Sequence, residues 1–538
     1  MRKILLTSIL ILSAAASYAQ TIYDGLMYSE RNYEGTARSV AMGNAFTALG
    51  GDMGSIGINP AGSAVAKYSQ IALTPALSIS SCATPGYVNT STRMTMPNYG
   101  MVLNFNTSRT SGLKGVTFGF VVNHVNSFNE EVFASDVNDK TTFMGAMASE
   151  ATDMNLSGAN LNMKDAYQFD PYRYVVGYQS GMISTFDGRD NEFAGASELI
   201  FDDNGNLYME LGGPLDQTYG RRVKGKKTDY LINLGFNISD FLYIGANLGI
   251  TSMNYSYSDY FKEEAVDPSD FEIDLDNGQK MYFSRMKYAH NFNAETSGVY
   301  GKFGFILTPG AGLRIGAAIQ TPTATTVNEE WWMDGDTEFT DSRYNGSAGS
   351  PYDGDKYAFR EPWRANFGLA FTFGEFGALS ADYEYCDYTS MKFKRDSFDD
   401  DREYFIDMND LIKNTFRASH MFRAGLEIKP VDRLAIRAGY GLTTSPDREE
   451  HPEALDGEDA AKGLGWIAGR SVSPTQNLAF GLGYISRKSF FADLTCRYTF
   501  KTEEYFLPYD PYIEGVAVPE YTITKDAWKV LLTFGWRF

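Results

Sequence analysis

Hydrophobic and polar positions alternate strictly along much of the second half of the chain, the period of a β-strand with one face in an apolar medium. In the last twelve residues Trp528, Val530, Leu532, Phe534, Trp536 and Phe538 share one face, and Lys529, Thr533, Gly535 and Arg537 share the other. Ala365, Phe367, Leu369, Phe371 and Phe373 repeat the pattern, as do Leu379, Ala381, Tyr383 and Tyr385 with Asp382 and Glu384 between them. An aromatic and aliphatic face backed by a small or polar one describes a strand of a transmembrane barrel, lipid outside and lumen inside.

From residue 70 onward the alternation predicts about fourteen strands, at 70–80, 96–105, 113–128, 229–238, 241–257, 294–307, 313–325, 363–373, 377–392, 420–428, 434–443, 476–484, 489–500 and 527–538. Their connectors alternate between tight turns, such as Ser239-Asp240 and 429–433, and long loops, of which 129–228 is the largest. Barrels of this kind keep short turns in the periplasm and long loops outside, which places both termini in the periplasm. By the same parity Arg314, Asp382, Glu384, Arg423, Glu427, Arg437, Asp493, Arg497 and Lys529 point into the lumen. An Arg or Lys turned to the bilayer midplane instead would cost roughly 2 to 4 kcal/mol. A mixed-sign set of this kind reads first as a structural network and second as a ligand contact.

The segment before residue 70 does not alternate. Ala37, Ala41, Ala45 and Ala48 recur at helical spacing, followed by Gly57-Ile58-Asn59-Pro60-Ala61-Gly62, whose Asn-Pro and Gly favour a tight turn. Short, small-residue helices ahead of the first strand suit a plug in the lumen. At the other extreme, Arg2-Lys3, an apolar run from Ile4 to Ala16 and Ser17-Tyr18-Ala19 read as a signal peptide over 1–19, too short in its apolar part to span a bilayer. The expected organisation is a signal peptide, a hatch over 20–69 and a barrel over 70–538.

Composition narrows the partners. Mean hydropathy is −0.29, and no later apolar run reaches the roughly 18 residues of a spanning helix, which leaves a barrel as the route into a membrane. The formal charge is −20; without Arg2 and Lys3 the chain has 45 basic against 67 acidic residues, and nucleic acid is a poor partner for it. Cys82, Cys386 and Cys496 are odd in number and far apart, and free thiols are expected.

Candidate chemistry is sparse. Residues 220–227 approach a phosphate-binding loop, but Lys227 stands where Ser or Thr would hold magnesium, and a strand follows where a helix is required. Arg221, Arg222, Lys224, Lys226 and Lys227 form instead a basic cluster at the outer edge of the fourth strand, read as a contact for lipopolysaccharide phosphates, a steering patch for an anionic amphiphile, or a solvated loop. The acidic stretches 267–276, 396–403 and 447–459 lack the spacing of a calcium loop, and the four histidines form no metal motif. Trp331-Trp332-Met333 and Tyr505, Tyr509, Tyr512 and Tyr521 read as belt residues or an apolar landing site at the outer mouth. No cofactor, metal or catalytic residue is expected.

The segment GTARSVAMGNAFTALGGDMGSIGINPAG (35–62) resembles the N-terminal hatch of the FadL/TodX-type family of outer-membrane transporters for long-chain fatty acids and other hydrophobic compounds, whose marker is Asn-Pro-Ala-Gly before the first strand. Residues 96–102, 312–322, 363–393 and 422–446 are similar to its later strands. The resemblance implies an all-β, fourteen-stranded bacterial outer-membrane barrel closed by a hatch containing Asn59, Pro60, Ala61 and Gly62. It further implies capture of a hydrophobic small molecule at the outer loops and sideways exit at a kink in the third strand.

The residues of that strand speak to the kink separately. Val116, Phe118, Phe120 and Val122 are apolar at even positions, then His124 and Asn126 interrupt and Val125 carries apolarity to an odd one. A parity slip is what a bulge produces, which makes Asn123, His124 and Asn126 lateral-gate candidates. An unkinked strand with polar lumen residues is the alternative. Passive transport by a monomer in contact with lipid and lipopolysaccharide is the expected function; a same-fold barrel that binds a protein partner and a barrel hydrolase are the other readings.

Overall fold

A computed structural model describes residues 21–538 except 187, 204–205, 276–277, 396–404, 449–472 and 488. The signal-peptide reading and much of the acidic stretches 396–403 and 447–459 lie outside the described residues. Fourteen antiparallel barrel strands run among the described residues: β1 (Gln70–Thr84), β2 (Tyr87–Asn106), β3 (Leu113–Asn138), β4 (Leu215–Ile238), β5 (Leu242–Ala265), β6 (Lys280–Gly310), β7 (Leu313–Gln320 continuing as Ala324–Phe339), β8 (Asp353–Arg360 continuing as Arg364–Thr372), β9 (Gly377–Asp387), β10 (Ala418–Val431), β11 (Leu434–Thr443), β12 (Thr475–Ile485), β13 (Phe490–Phe506) and β14 (Tyr521–Arg537). β14 closes onto β1, from Gln70 opposite Arg537 to Ala83 opposite Thr524.

Each expected strand is present, and most run further outward than the alternation marked. β3 extends to Asn138 and β4 begins at Leu215, which shortens the expected 129–228 loop to 139–214. Beyond the lipid band both faces are polar or packed, and the alternation that reveals a strand fades there. β7 and β8 break at Pro322 and Pro362, which have no N–H to donate to a ladder. At the opposite end the hairpin between β4 and β5 turns through Ser239 and Asp240, both at positive φ (58° and 54°), as the right-handed twist of a two-residue connection demands. Phe538 donates its N–H to Ser69 O at this short-turn end.

The barrel exterior carries an apolar band, with Phe303, Phe367, Leu369, Phe480, Leu482 and Trp528 outward and Asn366, Asp382, Glu384, Arg423 and Lys529 buried inward. That division keeps the charged side chains off the apolar exterior, as in a barrel that spans a membrane.

The segment before β1 packs inside the barrel. Helix α1 (Ile22–Ser29) is opened by a capping box between Thr21 and Asp24. The alanine spacing predicts short helices, and α2 covers Ala37–Ala41: Gly43 and Asn44 take φ of 61° and 59° and end it. All four alanines are fully buried, their small size serving close packing against the wall rather than helix length. Lumen-facing glycines receive this backbone. A Cβ at Gly368 would lie 2.7 Å from Thr47 Cβ, and one at Gly425 2.7 Å from Met42 Cβ.

The 139–214 excursion packs over the end of the barrel opposite the short turns. Helix α3 (Phe143–Asp153) drives Phe143 between Phe261, Tyr288 and Tyr509, and α4 (Tyr172–Gln179) contributes Val175 and Val176 to the same cluster. Tyr509 and Tyr521 are buried there, a correction to their reading as belt or landing-site residues. Trp332 lies within β7, not in a loop, and packs on Tyr352.

Candidate functional site

The parity slip in the third strand is a β-bulge. Opposite β4, Asn123 and His124 face Asp229 and Thr228, and the next pair is Asn126 with Lys227, leaving Val125 as the extra residue. The ladder between β2 and β3 runs from Asn106–Gly115 only to Asn98–Asn123. Beyond it β2 pairs with β1 alone and β3 with β4 alone. Further out β3 meets the β1–β2 hairpin again, where Thr84 Oγ1 donates to Phe133 O at 2.6 Å and Tyr87 packs edge-on to Phe133. The wall therefore has a bounded window between the Asn98–Asn123 pair and the Thr84–Phe133 contact.

A second signal marks this window. Pro97 precedes Asn98, the last residue of the β2–β3 ladder, and Pro75 sits at the register shift of β1 between Thr74 and Ala76. Two neighbouring strands thus lose a donor where the sheet opens. Outward from Asn98, β2 presents Met94 and Met96 to the exterior and Arg93 to the interior.

The hatch closes the window from within. Asn32 N–H donates to Val125 O at 2.6 Å and Glu34 N–H to His124 O at 3.3 Å, the carbonyls of the bulge. Asn32 Nδ2 lies 3.4 Å from Asn126 Oδ1, and Asn98 Nδ2 donates to Asn123 Oδ1. Asn123, His124 and Asn126 are all buried.

The Asn-Pro-Ala-Gly stretch anchors the far side of the hatch. Asn59 caps a 3-10 turn, Pro60–Val65, by accepting from Ala61 N–H at 3.0 Å. Its Nδ2 donates to Thr47 O at 2.6 Å and to Phe305 O of β6 at 3.0 Å. Pro60 O accepts from Asn233 of β4 at 3.0 Å, and a Cβ at Gly62 would lie 2.7 Å from Ser55 Oγ. Side chains so placed bind hatch to wall.

The inward charges form ion networks that also reach the hatch. Arg437 bridges Glu427 (2.7 Å) and Asp493 (2.5 Å), and Arg38 of α2 joins Glu427 at 2.9 Å. Arg423 lies 3.4 Å from Glu384 and 3.8 Å from Asp382, Arg364 is 3.2 Å from Glu384, and Asp382 accepts from Thr47 N–H at 2.7 Å. Arg314 donates to Leu49 O at 2.7 Å. A third network escaped sequence reasoning because its hatch member, Arg31, lies outside any periodic segment. Arg31 pairs with Asp229 at 2.5 Å, Asp229 accepts from Tyr300 at 2.6 Å, and Lys227 pairs with Glu361 at 2.9 Å.

The basic cluster is dispersed by the pleat of β4. Arg221 turns inward to Glu130 and Lys227 to Glu361, whereas Arg222, Lys224 and Lys226 stay exposed, Arg222 at 3.3 Å from Glu131. The three cysteines are free thiols. Among the described residues no group of three His, Cys, Asp or Glu side chains could hold a metal.

Above the hatch lies a cavity of about 220 Å³, lined on one side by Asn126, Ser127 and Asn129 of β3 and on the other by β10–β14, β1 and β2. Arg497, Lys529, Ser78 and Arg93 stand in register across β13, β14, β1 and β2 and line it as a single row. Glu34 is the one carboxylate in its lining, and it accepts a hydrogen bond from Lys529. Burial alone would raise the Glu34 carboxyl, but Lys529 and then Arg497 hold it below the ordinary range.

Toward the end opposite the short turns, Tyr28 of α1 and Tyr357 of β8 both donate to the buried Glu329 of β7. Burial pushes the carboxyl of Asp24 in α1 up to about 6. A carboxyl raised in the fold stabilises it fully below its unfolded value and loses that contribution as pH rises through the folded one. Docking of α1 is therefore expected to weaken as pH rises through about 6. Protection factors over residues 22–29, which divide out the intrinsic acceleration of exchange with pH, should fall as pH rises, and Asp24→Asn should flatten that dependence; an unchanged profile in the variant would show that Asp24 does not set it.

The architecture can be set beside known proteins. No protein-family model and no curated protein matches the sequence. Among solved structures, that of a Pseudomonas aeruginosa FadL homologue aligns over 95% of this chain and 100% of its own, with a TM-score of 0.52 and 11% identity. A TodX monoaromatic hydrocarbon channel deltaS2 mutant aligns over 94% and 98%, with a TM-score of 0.50 and 12% identity. The chain has the fold of these barrels.

Proposed function

We propose that this protein is a passive transporter of the bacterial outer membrane, passing hydrophobic or amphiphilic small molecules from the cell exterior through the lumen and sideways into the bilayer. The observation that carries the reading is the bounded window between β2 and β3, held shut by two backbone hydrogen bonds from the hatch to the bulge. An unpaired stretch of wall costs hydrogen bonds in lipid and persists where something is gained by it. Lateral release suits an apolar cargo, which gains about 0.8 kcal/mol for each CH2 buried in the membrane. The solved proteins of this fold are described as a FadL homologue and a hydrocarbon channel, in line with that cargo class. Short turns and both ends of the barrel chain, Gln70 and Arg537, share one rim, which we place in the periplasm by the rule for such barrels.

The test is uptake. Cells lacking this chain should take up a radiolabelled long-chain fatty acid or a monoaromatic hydrocarbon more slowly than cells expressing it, and lipid retained by the purified barrel should be visible by mass spectrometry. Equal uptake of every such compound with and without the chain would overturn the reading.

A further inference from the structure

The exterior face of β4 changes character abruptly along its length, at a place the transport route does not use. From the short-turn end its exposed side chains are Phe236, Leu234, Ile232 and Tyr230, and beyond the buried Thr228 they are Lys226, Lys224 and Arg222. Lys226 lies ten residues along the strand from Phe236; at about 3.3 Å per residue and a tilt of about 40°, that stretch climbs about 25 Å, the height of the apolar band of such a barrel. Lys226 therefore stands where hydrocarbon ends, with Lys224 and Arg222 in the headgroup layer above it. The neighbouring strands leave two of the three cations uncompensated. Lys226 is opposite Ser127 of β3 and Asn254 of β5, Lys224 is opposite Asn129 and Ser256, and Arg222 alone meets an acid, Glu131, at 3.3 Å. Among the described residues neither Lys224 nor Lys226 has a carboxylate within salt-bridge distance. Further out on the same wall Lys262 has Glu264 and Arg285 has Glu338. In a chain of net charge −20, two unpaired lysines flanked by hydroxyl and amide side chains fit an anion supplied from outside the protein.

We propose that Arg222, Lys224 and Lys226 hold a phosphate of an outer-leaflet lipopolysaccharide against the outside of β4. Alternate residues of a strand lie about 6.6 Å apart, so ammonium groups on flexible four-carbon stems can converge on one phosphate. The Arg222 guanidinium adds a planar fork that matches phosphate oxygens. Asn129 and Ser256 on either side offer neutral donors, suited to the sugar that carries the phosphate. Directly beneath, the stripe from Tyr230 to Phe236 is where acyl chains of the same molecule would lie, and that stripe singles out a lipid over a soluble anion. The inward neighbours Arg221 and Lys227 are held by Glu130 and Glu361 and take no part.

The inference rests on one part of the transport reading, the placement of the long loops at the cell exterior, and the test separates the two. Full-length protein in a neutral maltoside detergent with EDTA is titrated with diphosphoryl lipid A, the same lipid A stripped of phosphate, and inorganic phosphate, and bound lipid is counted by native mass spectrometry. The diphosphoryl form should bind at least about tenfold more tightly than the stripped form, the scale of one charge-assisted hydrogen bond. That preference should persist in EDTA, because side chains rather than a bridging metal supply the positive charge, and should shrink as salt is raised. Lys224→Gln combined with Lys226→Gln should erase it, whereas Lys114→Gln, paired with Asp240 at the short-turn rim, should leave it intact. All three side chains lie outside the lumen, and folding of each variant is checked by heat-modifiable gel migration. Equal binding of the two lipid A forms, or a preference that survives the double substitution in a folded barrel, would overturn the site. A preference lost in EDTA would overturn direct contact with the cations, and inorganic phosphate binding as tightly as lipid A would overturn the lipid as its source. Orientation is read separately from an epitope inserted at 350–352, among the long loops, which antibody should reach on intact cells. An epitope reached only after permeabilisation would overturn the exterior placement and the outer-leaflet source with it, while a reached epitope without any phosphate preference would remove the site and leave the transport reading standing.

Discussion

Deleting Val125 should abolish uptake while leaving the barrel assembled. The deletion removes the residue that β3 inserts between His124 and Asn126 without a partner on β4, so that Asn126 follows His124 directly and the ladder closes without a slip there. Faces are preserved on both sides. Thr117, Val121 and Asn123 are buried at odd positions before the bulge, and Asn126, Val132 and Ala134 at even positions after it. A straightened β3 offers the residues of β2 outward of Pro97 an in-register partner, although Pro97 itself has no N–H to give, and the two carbonyls that receive Asn32 and Glu34 are drawn into the wall. The expected result is uptake at the level of cells lacking the protein, from a barrel that still migrates as folded. Normal uptake by a folded deletion variant would sink the lateral route.

Arg437→Ala is expected to have the largest effect on stability. Arg437 is buried and bonds Glu427 at 2.7 Å and Asp493 at 2.5 Å. Its truncation leaves Asp493 without this partner and Glu427 with Arg38 at 2.9 Å and Lys429 at 3.8 Å. Breaking a buried pair by removing one side costs about 3 to 5 kcal/mol, far more than the pair itself contributes. The loss should appear as a lower temperature for the folded-to-unfolded gel shift and as earlier unfolding in urea. Adding Asp493→Asn should recover part of it, because an amide in place of the carboxylate cancels the stranded charge. A loss below about 1 kcal/mol, the range of an exposed pair, would mean that water reaches the network and that it does not hold the hatch.

Much of this molecule was legible in the order of its residues. Alternation alone located the fourteen strands and turned Arg314, Asp382, Glu384, Arg423, Glu427, Arg437, Asp493, Arg497 and Lys529 inward, where the barrel has them. The slip near His124 is as plain in the sequence as in the ladder, since side-chain parity is a local property of a strand. Less legible were the outer extensions of the strands, where lipid no longer enforces one apolar face. The run of basic residues at 221–227 is divided by the pleat, which turns Arg221 and Lys227 inward and leaves Arg222, Lys224 and Lys226 together on the exposed face. Pro75 and Pro97, a signal present in the sequence, mark the window.

What the sequence by itself determined is therefore the barrel, its lipid and lumen faces, the presence of a plug and the break in β3, because each follows from contacts between near neighbours in the chain or from the solvent on either side. Which charges meet was decided only by the tertiary structure. Lys529 finds Glu34 across 495 residues and Arg38 finds Glu427 across 389, distances at which no periodicity carries information. Closure of the cylinder brings β14 beside β1 and lays the hatch across both, and through that long-range geometry a single glutamate comes to face a cation row and a wall opening together.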